Sequence, residues 1–230
     1  MKYDCLIIDD EKELNDNTAV YFNMFDVKTA SVYSSAEAED FLQKNETSLI
    51  LLDINLSDGN GFELCKKIRQ TMNIPILFIS ARNTDDDKII ALNIGGDDYI
   101  EKPYSLGVLL AKVKVVLKRY SNAAEAVSDK TEFDDGHLRL DTANKTVYVD
   151  GVEKKITSIE WKLLEYLIGN KNRLVTKNEI FDNVWNDKFT TDGTLNVHIR
   201  KIREAIEKDP QDPKYIVTVW KEGYKFVTPE

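Results

Sequence analysis

Charged and hydroxyl side chains follow four short apolar stretches in the first half of the sequence. Each stretch consists mainly of apolar residues that favour β-structure. Ligands of parallel sheets bind outside the carboxyl ends of the strands, so these side chains would meet at one edge. An aspartate at a strand end can also cap a turn, and Asp53 taken alone fits either interpretation. The set comprises Asp9 and Asp10 after residues 5–8, Asp53 after 49–52, Ser80 after 76–79, and Lys102 after 99–101.

The chemistry open to this set is phosphoryl transfer to a carboxylate. Three carboxylates in one pocket repel one another and favour a divalent cation, and an all-oxygen site with open water positions suits Mg²⁺ (or Mn²⁺). A carboxylate such as Asp53 can act as a nucleophile and form an aspartyl phosphate. The cation and the Lys102 ammonium would neutralise charge on the phosphoryl group, and the Ser80 hydroxyl would hold one of its oxygens. Each residue type in the set therefore has a role in one reaction.

The pattern of residues 3–119 predicts the elements that would position this set. Five strand-like stretches alternate with five amphipathic ones, which predicts a doubly wound parallel sheet of five strands with right-handed crossovers. Residues 5–8 and 49–52 are apolar without alternation, so they are expected to form the central strands. The predicted strands are 4–8, 27–31, 49–53, 75–79 and 97–101, and the predicted helices begin at Glu11 or span 35–44, 61–71, 85–93 and 105–119.

A change of pattern divides the chain into two predicted domains. Residues 1–120 form the first, and the small, polar residues 121–130 predict a linker, although their alanines also allow an extension of the preceding helix. Residues 131–230 begin with short strands around the turn signal Asp150-Gly151 and continue with three helices and a terminal hairpin. This order predicts an α+β winged helix-turn-helix domain. The predicted caps of its helices are Thr157 or Ser158, Thr176, and Thr191 or Asp192.

Composition limits the class of protein. The 230-residue chain carries a net charge of −9, which argues against non-specific coating of nucleic acid, so any nucleic-acid site would be a local patch. The sequence has no apolar run long enough to cross a membrane and no signal-peptide pattern, which predicts a cytoplasmic protein without a membrane partner. Cys5 and Cys65 lack metal-ligand spacing and lie in apolar patterns, so both are predicted to be core residues rather than a redox pair.

Both predicted domains resemble those of a known family. The Asp9-Asp10-Glu11 run, Asp53, the Ser80-Ala81-Arg82 run and Lys102-Pro103 resemble the receiver domain of two-component response regulators, which has a flavodoxin-like fold. Residues 131–230 resemble the winged-helix effector domain of the OmpR/PhoB family. The two resemblances cover nearly the whole chain and imply a DNA-binding transcription regulator rather than an enzyme that turns over an external substrate.

The resemblance implies a role for each residue of the polar set. A sensor histidine kinase would supply the phosphoryl group, and Ser80 and the switch aromatic would move together once it is bound. The implied assignments are Asp53 as phosphoacceptor; Asp9, Asp10, Asp53 and the backbone carbonyl of Asn55 as Mg²⁺ (or Mn²⁺) ligands; Ser80 and Lys102 as phosphoryl-binding residues; and Tyr99 as the switch aromatic.

Several details around the implied pocket remain open at this point. The alternative for Tyr99 is an aromatic packed on its strand, and Arg82 is either a solvated loop residue or a residue that tunes dephosphorylation. The Lys102-Pro103 bond is expected to be cis. Ser57 stands where the family usually has proline, which would loosen the loop after Asp53.

The resemblance also implies a symmetric homodimer on phosphorylation, through the fourth helix, fifth strand and fifth helix. Val108 stands where the family usually has a glutamate, so one expected ion pair is missing. Exposed ion pairs contribute only about 0–1 kcal/mol, so dimerisation would be weakened rather than lost. The alternative is that these charges form an ordinary solvated face. The matching charges are Lys88, Asp97, Asp98, Lys112 and Arg119.

The third helix of the second domain is the predicted DNA-reading element. A step of 100° per residue places Leu195, Ile199, Ile202 and Ile206 on an inward stripe and Val197 on the opposite face, between cations. An exposed valine there suits a major groove, where it can meet a thymine methyl group, although a charged amphipathic surface helix would show a similar pattern. The predicted DNA contacts are Thr194, Asn196, Val197, His198, Arg200, Lys201 and Arg203, with Lys221 and Lys225 in the wing.

The sequence departs from the family at two positions, and these departures leave open which DNA sequence the protein would read. Trp220 stands where a basic wing residue is usual, and Gly193 stands where a long side chain is common. His198 has no metal partner nearby and is interpreted as a polar residue that flanks the DNA.

The sequence thus predicts that phosphoryl transfer to Asp53 promotes a dimer that binds tandem half-sites in double-stranded promoter DNA, with the loop of residues 186–190 meeting RNA polymerase. One alternative is a phosphatase with an aspartyl-phosphate intermediate, but the first strand lacks an Asp-x-Asp arrangement. The other is a phosphorylation-independent winged-helix transcription factor with a vestigial receiver pocket.

Overall fold

The computed structural model describes residues 1–82, 84–121, 133–186 and 190–228, without the side chains of Asp85, Arg119 and Ser121. The chain divides into two compact units at residues 125–126. The predicted linker lies outside the described residues except for Ser121, so its boundaries stay a prediction. None of the helices in these ranges combines the length and apolar character that a membrane span requires.

The N-terminal unit is a parallel sheet with helices on both faces. Its elements are β1 (Lys2–Tyr3), β2 (Cys5–Ile8), α1 (Lys12–Met24), β3 (Thr29–Val32), α2 (Ser35–Lys44), β4 (Glu46–Thr47), β5 (Ile50–Asp53), β6 (Asn55–Leu56), β7 (Gly59–Asn60), α3 (Gly61–Thr71), β8 (Ile76–Ser80), α4 (Asp85–Asn93), β9 (Asp98–Glu101) and α5 (Leu106–Ser121). The main sheet has the order β3-β2-β5-β8-β9, and all its neighbours are parallel. The doubly wound, five-stranded sheet is therefore confirmed.

Alternate residues of the inner strands enter two separate cores, which explains why β2 and β5 show no polar alternation. On one face, Ile8 and Leu52 pack with the apolar residues of α2, α3 and α4. On the other face, Ile7 and Leu51 pack with those of α1 and α5. Cys5 and Cys65 are both buried, in agreement with the prediction that they are core residues.

Very short strands are the part of this unit that the sequence pattern does not predict. β1 pairs with β4 in parallel, and β6 pairs with β7 as a hairpin directly after Asp53. Each of these strands has two residues, so none is long enough to show a hydrophobic period.

The C-terminal unit combines two antiparallel sheets with three helices. Its elements are β10 (Phe133–Asp134), β11 (Leu138–Asp141), β12 (Thr146–Val149), β13 (Val152–Lys154), α6 (Ser158–Gly169), β14 (Leu174–Thr176), α7 (Lys177–Ile180) with a following π-helical turn (Phe181–Trp185), α8 (Asp192–Ile206), β15 (Ile216–Val219) and β16 (Gly223–Phe226). The sheet orders are β10-β11-β12-β13 and β14-β16-β15. This arrangement confirms the predicted winged helix-turn-helix fold.

Local signals of the C-terminal unit agree well with its structure. Thr157, Thr176 and Thr191 cap α6, α7 and α8, and each accepts a hydrogen bond from a backbone N–H of the first turn. The second helix, in contrast, changes to a π-helical turn after Ile180 instead of continuing regularly. β14 was not predicted, because its three residues form a strand only through pairing with β16, which is distant in the sequence.

Candidate functional site

The parallel strands of the main sheet end at a common edge and carry the predicted polar residues there. Asp53 is the last residue of β5 and is in register with Ile79 of β8, so Ser80 follows one step further on. Asp9 directly follows β2, and Lys102 directly follows β9. The four side chains reach one pocket because parallel neighbours present the same end of each strand.

Lys102 lies at the centre of this pocket. Its Nζ atom is 2.7 Å from Oδ2 of Asp9, 2.7 Å from Oδ2 of Asp53 and 2.7 Å from Oε1 of Glu11. The Lys102 side chain is only 8% exposed, so these contacts are shielded from water. Glu11 was not among the predicted pocket residues, although it belongs to the run of three acidic residues on which the family resemblance depends.

Burial and charge set the protonation of the pocket. Burial raises the pKa of the Asp9 carboxyl, although the hydrogen bond and charge of Lys102 act in the opposite direction. Burial alone would lower the pKa of Lys102, but hydrogen bonds to Asp53, Asp9 and Glu11 outweigh it and raise that pKa above its ordinary value. Lys102 is therefore an ammonium, and Asp9 is the carboxyl whose charge is costly in the pocket.

The donor set of the pocket fits a small divalent cation. Asp9, Asp10 and Asp53 each offer a carboxylate oxygen, and these atoms all lie within 4.8 Å of one another. One ammonium from Lys102 stands against these three carboxylates, so the cluster carries excess negative charge. Oxygen donors at this spacing are those that Mg²⁺ or Mn²⁺ prefers, and a second cation would relieve the costly charge of Asp9.

Asn55 and Arg82 lie beside the phosphoacceptor candidate. The backbone N–H of Asn55 donates to Oδ1 of Asp53 at 3.0 Å. Arg82 donates to the side-chain oxygen of Asn55 through Nε, at 3.1 Å, and through Nη2, at 2.8 Å, and it lies 3.6 Å from Asp87. Arg82 is therefore held across the loop after Asp53 rather than only solvated.

The two hydroxyl residues of the predicted switch contact the same segment. Ser80 is fully buried, and its Oγ accepts a hydrogen bond from the backbone N–H of Arg82 at 3.3 Å. The hydroxyl of the half-buried Tyr99 donates to the carbonyl oxygen of Arg82. Burial raises the pKa of Tyr99, which favours this neutral donor form. The predicted cis bond between Lys102 and Pro103 is also present.

A buried asparagine supports the pocket from α1. Asn15 is 1% exposed, and its Nδ2 donates to the carbonyl oxygens of Asp9, at 2.9 Å, and Val32, at 3.0 Å. It thereby joins the ends of β2 and β3 next to the carboxylates. The sequence carries a signal for it, since Asn15 shares the buried spacing of Ala19 and Phe22 on α1.

The charges predicted for a dimer face are mostly engaged within the chain. Asp97, which belongs to the predicted dimer face, is only 4% exposed, and its Oδ2 accepts hydrogen bonds from Arg69 and from the backbone N–H of Ile76, both at 2.8 Å. Its position before β9 turns it toward the start of β8. Asp98 and Lys112 are also buried, and they pair with each other at 2.7 Å.

Other features of that face remain accessible. Lys88 pairs with Glu101, and Val108 is 45% exposed on α5. The side chain of Arg119 lies outside the described residues. The predicted dimer is therefore left with fewer accessible charges than the sequence indicated.

The DNA-reading candidate α8 has the predicted inward stripe, and Leu195, Ile199, Ile202 and Ile206 are all buried. Its exposed side chains include those of Asn196 and Arg200, both predicted DNA contacts. Arg200 is 65% exposed and pairs with Glu204 at 2.8 Å. Asn196 accepts a hydrogen bond from the hydroxyl of Tyr224 at 2.8 Å, which joins α8 to the wing.

The buried arc of α8 is wider than its apolar stripe. The prediction that Val197 is exposed is wrong, since it is 7% exposed, and the predicted DNA contacts His198 and Thr194 are also buried, at 0% and 7%. A polar partner on the neighbouring helix accounts for His198: its Nδ1 lies 3.4 Å from Oε1 of Glu160 in α6. Thr194 and Val197 lie beside His198 on the same side of α8.

Glu160 forms a buried polar cluster beneath α8. Its Oε2 accepts from the backbone N–H of Thr157 at 2.7 Å, and its Oε1 lies 3.1 Å from Nζ of Lys201. The ring of Trp185 is 5.8 Å from that of His198. Lys201, a predicted DNA contact, is thus directed toward a buried carboxylate.

The remaining predicted DNA contacts differ in how accessible they are. Arg203 donates to the carbonyl oxygen of Ile216, at 3.0 and 2.6 Å, and to Oγ1 of Thr218, at 2.8 Å, so it fastens α8 to β15. In the wing, Lys221 is exposed and Lys225 is half-buried. Trp220 is 80% exposed between β15 and β16. Residues 187–189 of the predicted polymerase loop lie outside the described residues.

Both units match domains of known protein families. Residues 5–114 match the response regulator receiver domain, and residues 151–226 match the C-terminal domain of transcriptional regulatory proteins. The chain is 33% identical over 221 residues to the sensory transduction protein RegX3 of Mycolicibacterium smegmatis, covering 96% of this chain and 97% of RegX3. It is 36% identical over 224 residues to the uncharacterized transcriptional regulatory protein YcbL of Bacillus subtilis, covering 96% of this chain and 98% of YcbL.

A solved structure shows the same domain combination. The response regulator DrrB of Thermotoga maritima, an OmpR/PhoB homologue, is 28% identical, with a TM-score of 0.51 over 99% of this chain and 100% of DrrB. The family is one of response regulators with a DNA-binding effector domain and not of known enzymes. Its domains imply a histidine kinase and promoter DNA as partners. With its acidic pocket and winged helix, this chain belongs to the OmpR/PhoB family of two-component response regulators and is a DNA-binding transcription regulator.

Proposed function

We propose that Asp53 is the phosphoacceptor through which a sensor histidine kinase controls DNA binding by this regulator. The observation that carries the proposal is the position of the Lys102 ammonium, 2.7 Å from both Asp9 and Asp53 at the carboxyl edge of the sheet. A shielded cation beside a carboxylate can neutralise a phosphoryl group that becomes attached there. The completeness of this pocket argues against a vestigial receiver.

The reaction is a transfer of the phosphoryl group from a kinase histidine to a carboxylate oxygen of Asp53. The new P–O bond forms as the P–N bond of the phosphohistidine breaks, and the imidazole leaves with the electron pair and takes up a proton. Lys102 neutralises a phosphoryl oxygen, and the Ser80 hydroxyl donates to another once it turns from the backbone of Arg82. Tyr99, which bonds to the same backbone, moves with Ser80.

A divalent cation completes the charge balance of the pocket. Asp9, Asp10, Asp53 and the backbone carbonyl of Asn55 would hold it, and the preferred ion is Mg²⁺, with Mn²⁺ as a substitute. The ion supplies neutralisation of charge on the transferring phosphoryl group. Asn15 contributes indirectly, because it holds the backbone that carries Asp9.

Phosphorylation would then promote a homodimer through α4, β9 and α5, and the dimer would bind tandem half-sites in promoter DNA in the cytoplasm. Lys88 and Val108 are the accessible features that support such a face. Asn196, Arg200 and Lys221 are the best-placed DNA contacts, because their side chains are exposed on α8 and the wing. Contact with RNA polymerase through residues 186–190 remains part of the proposal.

Incubation with acetyl phosphate and Mg²⁺, followed by intact-protein mass spectrometry, tests the phosphoacceptor. The wild-type protein is expected to gain one phosphoryl group, and Asp53→Asn is expected to gain none. Asp40→Asn is the matched control, because it removes the same charge from an exposed position on α2. Labelling of Asp53→Asn at the wild-type level, or no labelling of the wild type, would refute the assignment.

A DNA-binding experiment tests the coupling to the effector unit. A binding sequence selected from random DNA is used to compare the affinities of phosphorylated and unphosphorylated protein. Phosphorylation is expected to increase affinity in the wild type and to have no effect in Asp53→Asn. Equal affinities for both forms of the wild type would instead favour the phosphorylation-independent alternative.

A further inference from the structure

The hairpin that follows Asp53 is bonded at its tip to a neighbouring helix. β6 and β7 form this hairpin, and its turn consists of Ser57 and Asp58. Oδ1 of Asp58 accepts a hydrogen bond from the backbone N–H of Ser35 at 2.8 Å, and Oδ2 accepts one from Ala36 at 3.0 Å. One carboxylate therefore joins the loop beside the phosphoacceptor to α2.

These hydrogen bonds satisfy the N-terminus of α2. Ser35 and Ala36 are its first two residues, and such N–H groups have no partner within their own helix. The next free group, the N–H of Glu37, is taken by the cap residue Ser34 at 3.1 Å. A carboxylate is favoured at this end of a helix. The hydrogen bond from the backbone N–H of Ser35, together with the one from Ala36, lowers the pKa of Asp58.

The other end of the hairpin lies in the pocket. Asn55, the first residue of β6, bonds to Asp53 through its N–H and is the proposed source of a carbonyl ligand. The base of the hairpin is closed by Gly61, whose N–H donates to the carbonyl oxygen of Ile54 at 2.8 Å. The tip has no proline ring to restrict it, since Ser57 leaves the backbone dihedral φ free. Besides the burial of Leu56 in the core, the link from Asp58 to α2 is therefore a restraint on the position of this tip.

We propose that Asp58 is a positioning residue for the cation pocket, because it anchors the hairpin of residues 55–60 to α2 and so holds the Asn55 carbonyl in place. This inference rests on the proposed Mg²⁺ site. Asp58 itself is exposed and does not belong to the cluster of carboxylates. It acts through the loop backbone.

Mn²⁺ binding to the full-length protein, followed by electron paramagnetic resonance of the free ion, tests this role. Asp58→Ala is expected to raise the dissociation constant about 3- to 10-fold, at or below the low end of the range for groups that orient metal ligands. Asp40→Ala is the matched control, because it makes the same substitution at an exposed position on α2, the helix that Asp58 contacts. It is expected to bind Mn²⁺ as the wild type does.

Two further measurements separate positioning from general stability. In the acetyl phosphate reaction, Asp58→Ala is expected to need more Mg²⁺ for half-maximal rate but to reach the wild-type rate at saturation. Adding Ser57→Pro, which restricts φ at the turn, is expected to restore part of the lost affinity. If Asp58→Ala does not fold, Asp58→Asn, which keeps one acceptor, is expected to show an intermediate loss.

The outcomes distinguish this inference from the proposed function. Equal Mn²⁺ affinity in Asp58→Ala and Asp40→Ala, or in Asp58→Asn and the wild type where Asp58→Ala does not fold, overturns the positioning role and leaves the phosphoacceptor intact. A wild-type protein that binds no Mn²⁺ and gains no phosphoryl group overturns the pocket itself.

Discussion

Replacing Glu160 by glutamine tests the buried cluster that connects α6 to the DNA-reading helix. The substitution keeps the shape of the side chain and an oxygen that can accept from Thr157. It removes the negative charge that faces His198, 3.4 Å away, and Lys201, 3.1 Å away. Because the Glu160 side chain is only 3% exposed, solvation by water cannot compensate for the loss of that charge. We expect the effector unit to lose stability.

The size of the loss follows from the protonation of the carboxyl group. Burial alone would raise the pKa of Glu160, but the hydrogen bond with His198 and the charge of Lys201 outweigh it and lower the pKa from 4.5 to about 2. At about 1.4 kcal/mol for each tenfold change in equilibrium, this corresponds to roughly 3 kcal/mol in favour of the charged form. Loss of one partner from a buried pair costs about 3–5 kcal/mol, which is the same order.

The effect has a defined pH dependence. The pKa of Glu160 is lower in the folded state than in the unfolded state, so its contribution to stability is complete above the ordinary value of 4.5. It is lost as the pH falls toward 2, where the folded state also takes up the proton. The difference in unfolding free energy between the wild type and Glu160→Gln should therefore be largest near neutral pH and shrink below pH 4.5.

The three tryptophans allow this unit to be followed separately. Trp161, Trp185 and Trp220 all lie in the C-terminal unit, so their fluorescence during urea unfolding reports on that unit within the full chain. Glu165→Gln on the same helix is the matched control: burial raises the pKa of Glu165, so its neutralisation should be neutral or stabilising. A Glu160→Gln midpoint equal to that of the wild type, or equal losses in the two variants, would refute the reasoning.

Three further predictions concern the pocket and α8. Gly61→Ala places a Cβ 2.1 Å from the carbonyl oxygen of Asp53. We therefore expect the free energy of unfolding, measured by heat or urea, to fall by about 1–3 kcal/mol, and labelling by acetyl phosphate to slow. Gly59→Ala, whose Cβ meets nothing closer than 3.4 Å, should behave as wild type. Arg200→Ala should weaken DNA binding and reduce the slope of log affinity against log salt by about 1, because Arg200 is exposed. Lys201→Ala should mainly lower the urea midpoint of the effector unit, and a salt slope reduced as much as in Arg200→Ala would contradict its inward contact.

The pocket could be predicted from sequence because its geometry follows from strand ends. Asp53 and Ser80 each complete an apolar strand, and parallel pairing alone brings such positions together. The contact between Lys102 and Glu11 could not be predicted in this way. It depends on the rotamers of two long side chains that lie 91 residues apart in the sequence.

The hairpin after Asp53 shows a second limit of sequence patterns. Its strands have two residues each, and its tip is held by Asp58, a residue whose polar character alone suggests only a turn. The substitution of serine for the usual proline predicted a looser loop. The structure supplies a different restraint through α2, which no local pattern around Ser57 encodes.

The faces of α8 show why apolar periodicity cannot locate a binding surface by itself. A step of 100° per residue leaves His198 at the margin of the apolar stripe, where its polar character favoured a DNA-flanking position, but a buried glutamate on α6 makes it part of the interior. This partner becomes visible only when the packing of α6 against α8 is known. The exposed residues Asn196, Arg200 and Glu204 are spaced by four and so form one column along the helix. The exposed face of α8 is therefore narrower than the sequence indicates, and Asn196 and Arg200 are the predicted DNA contacts of this helix that it leaves exposed.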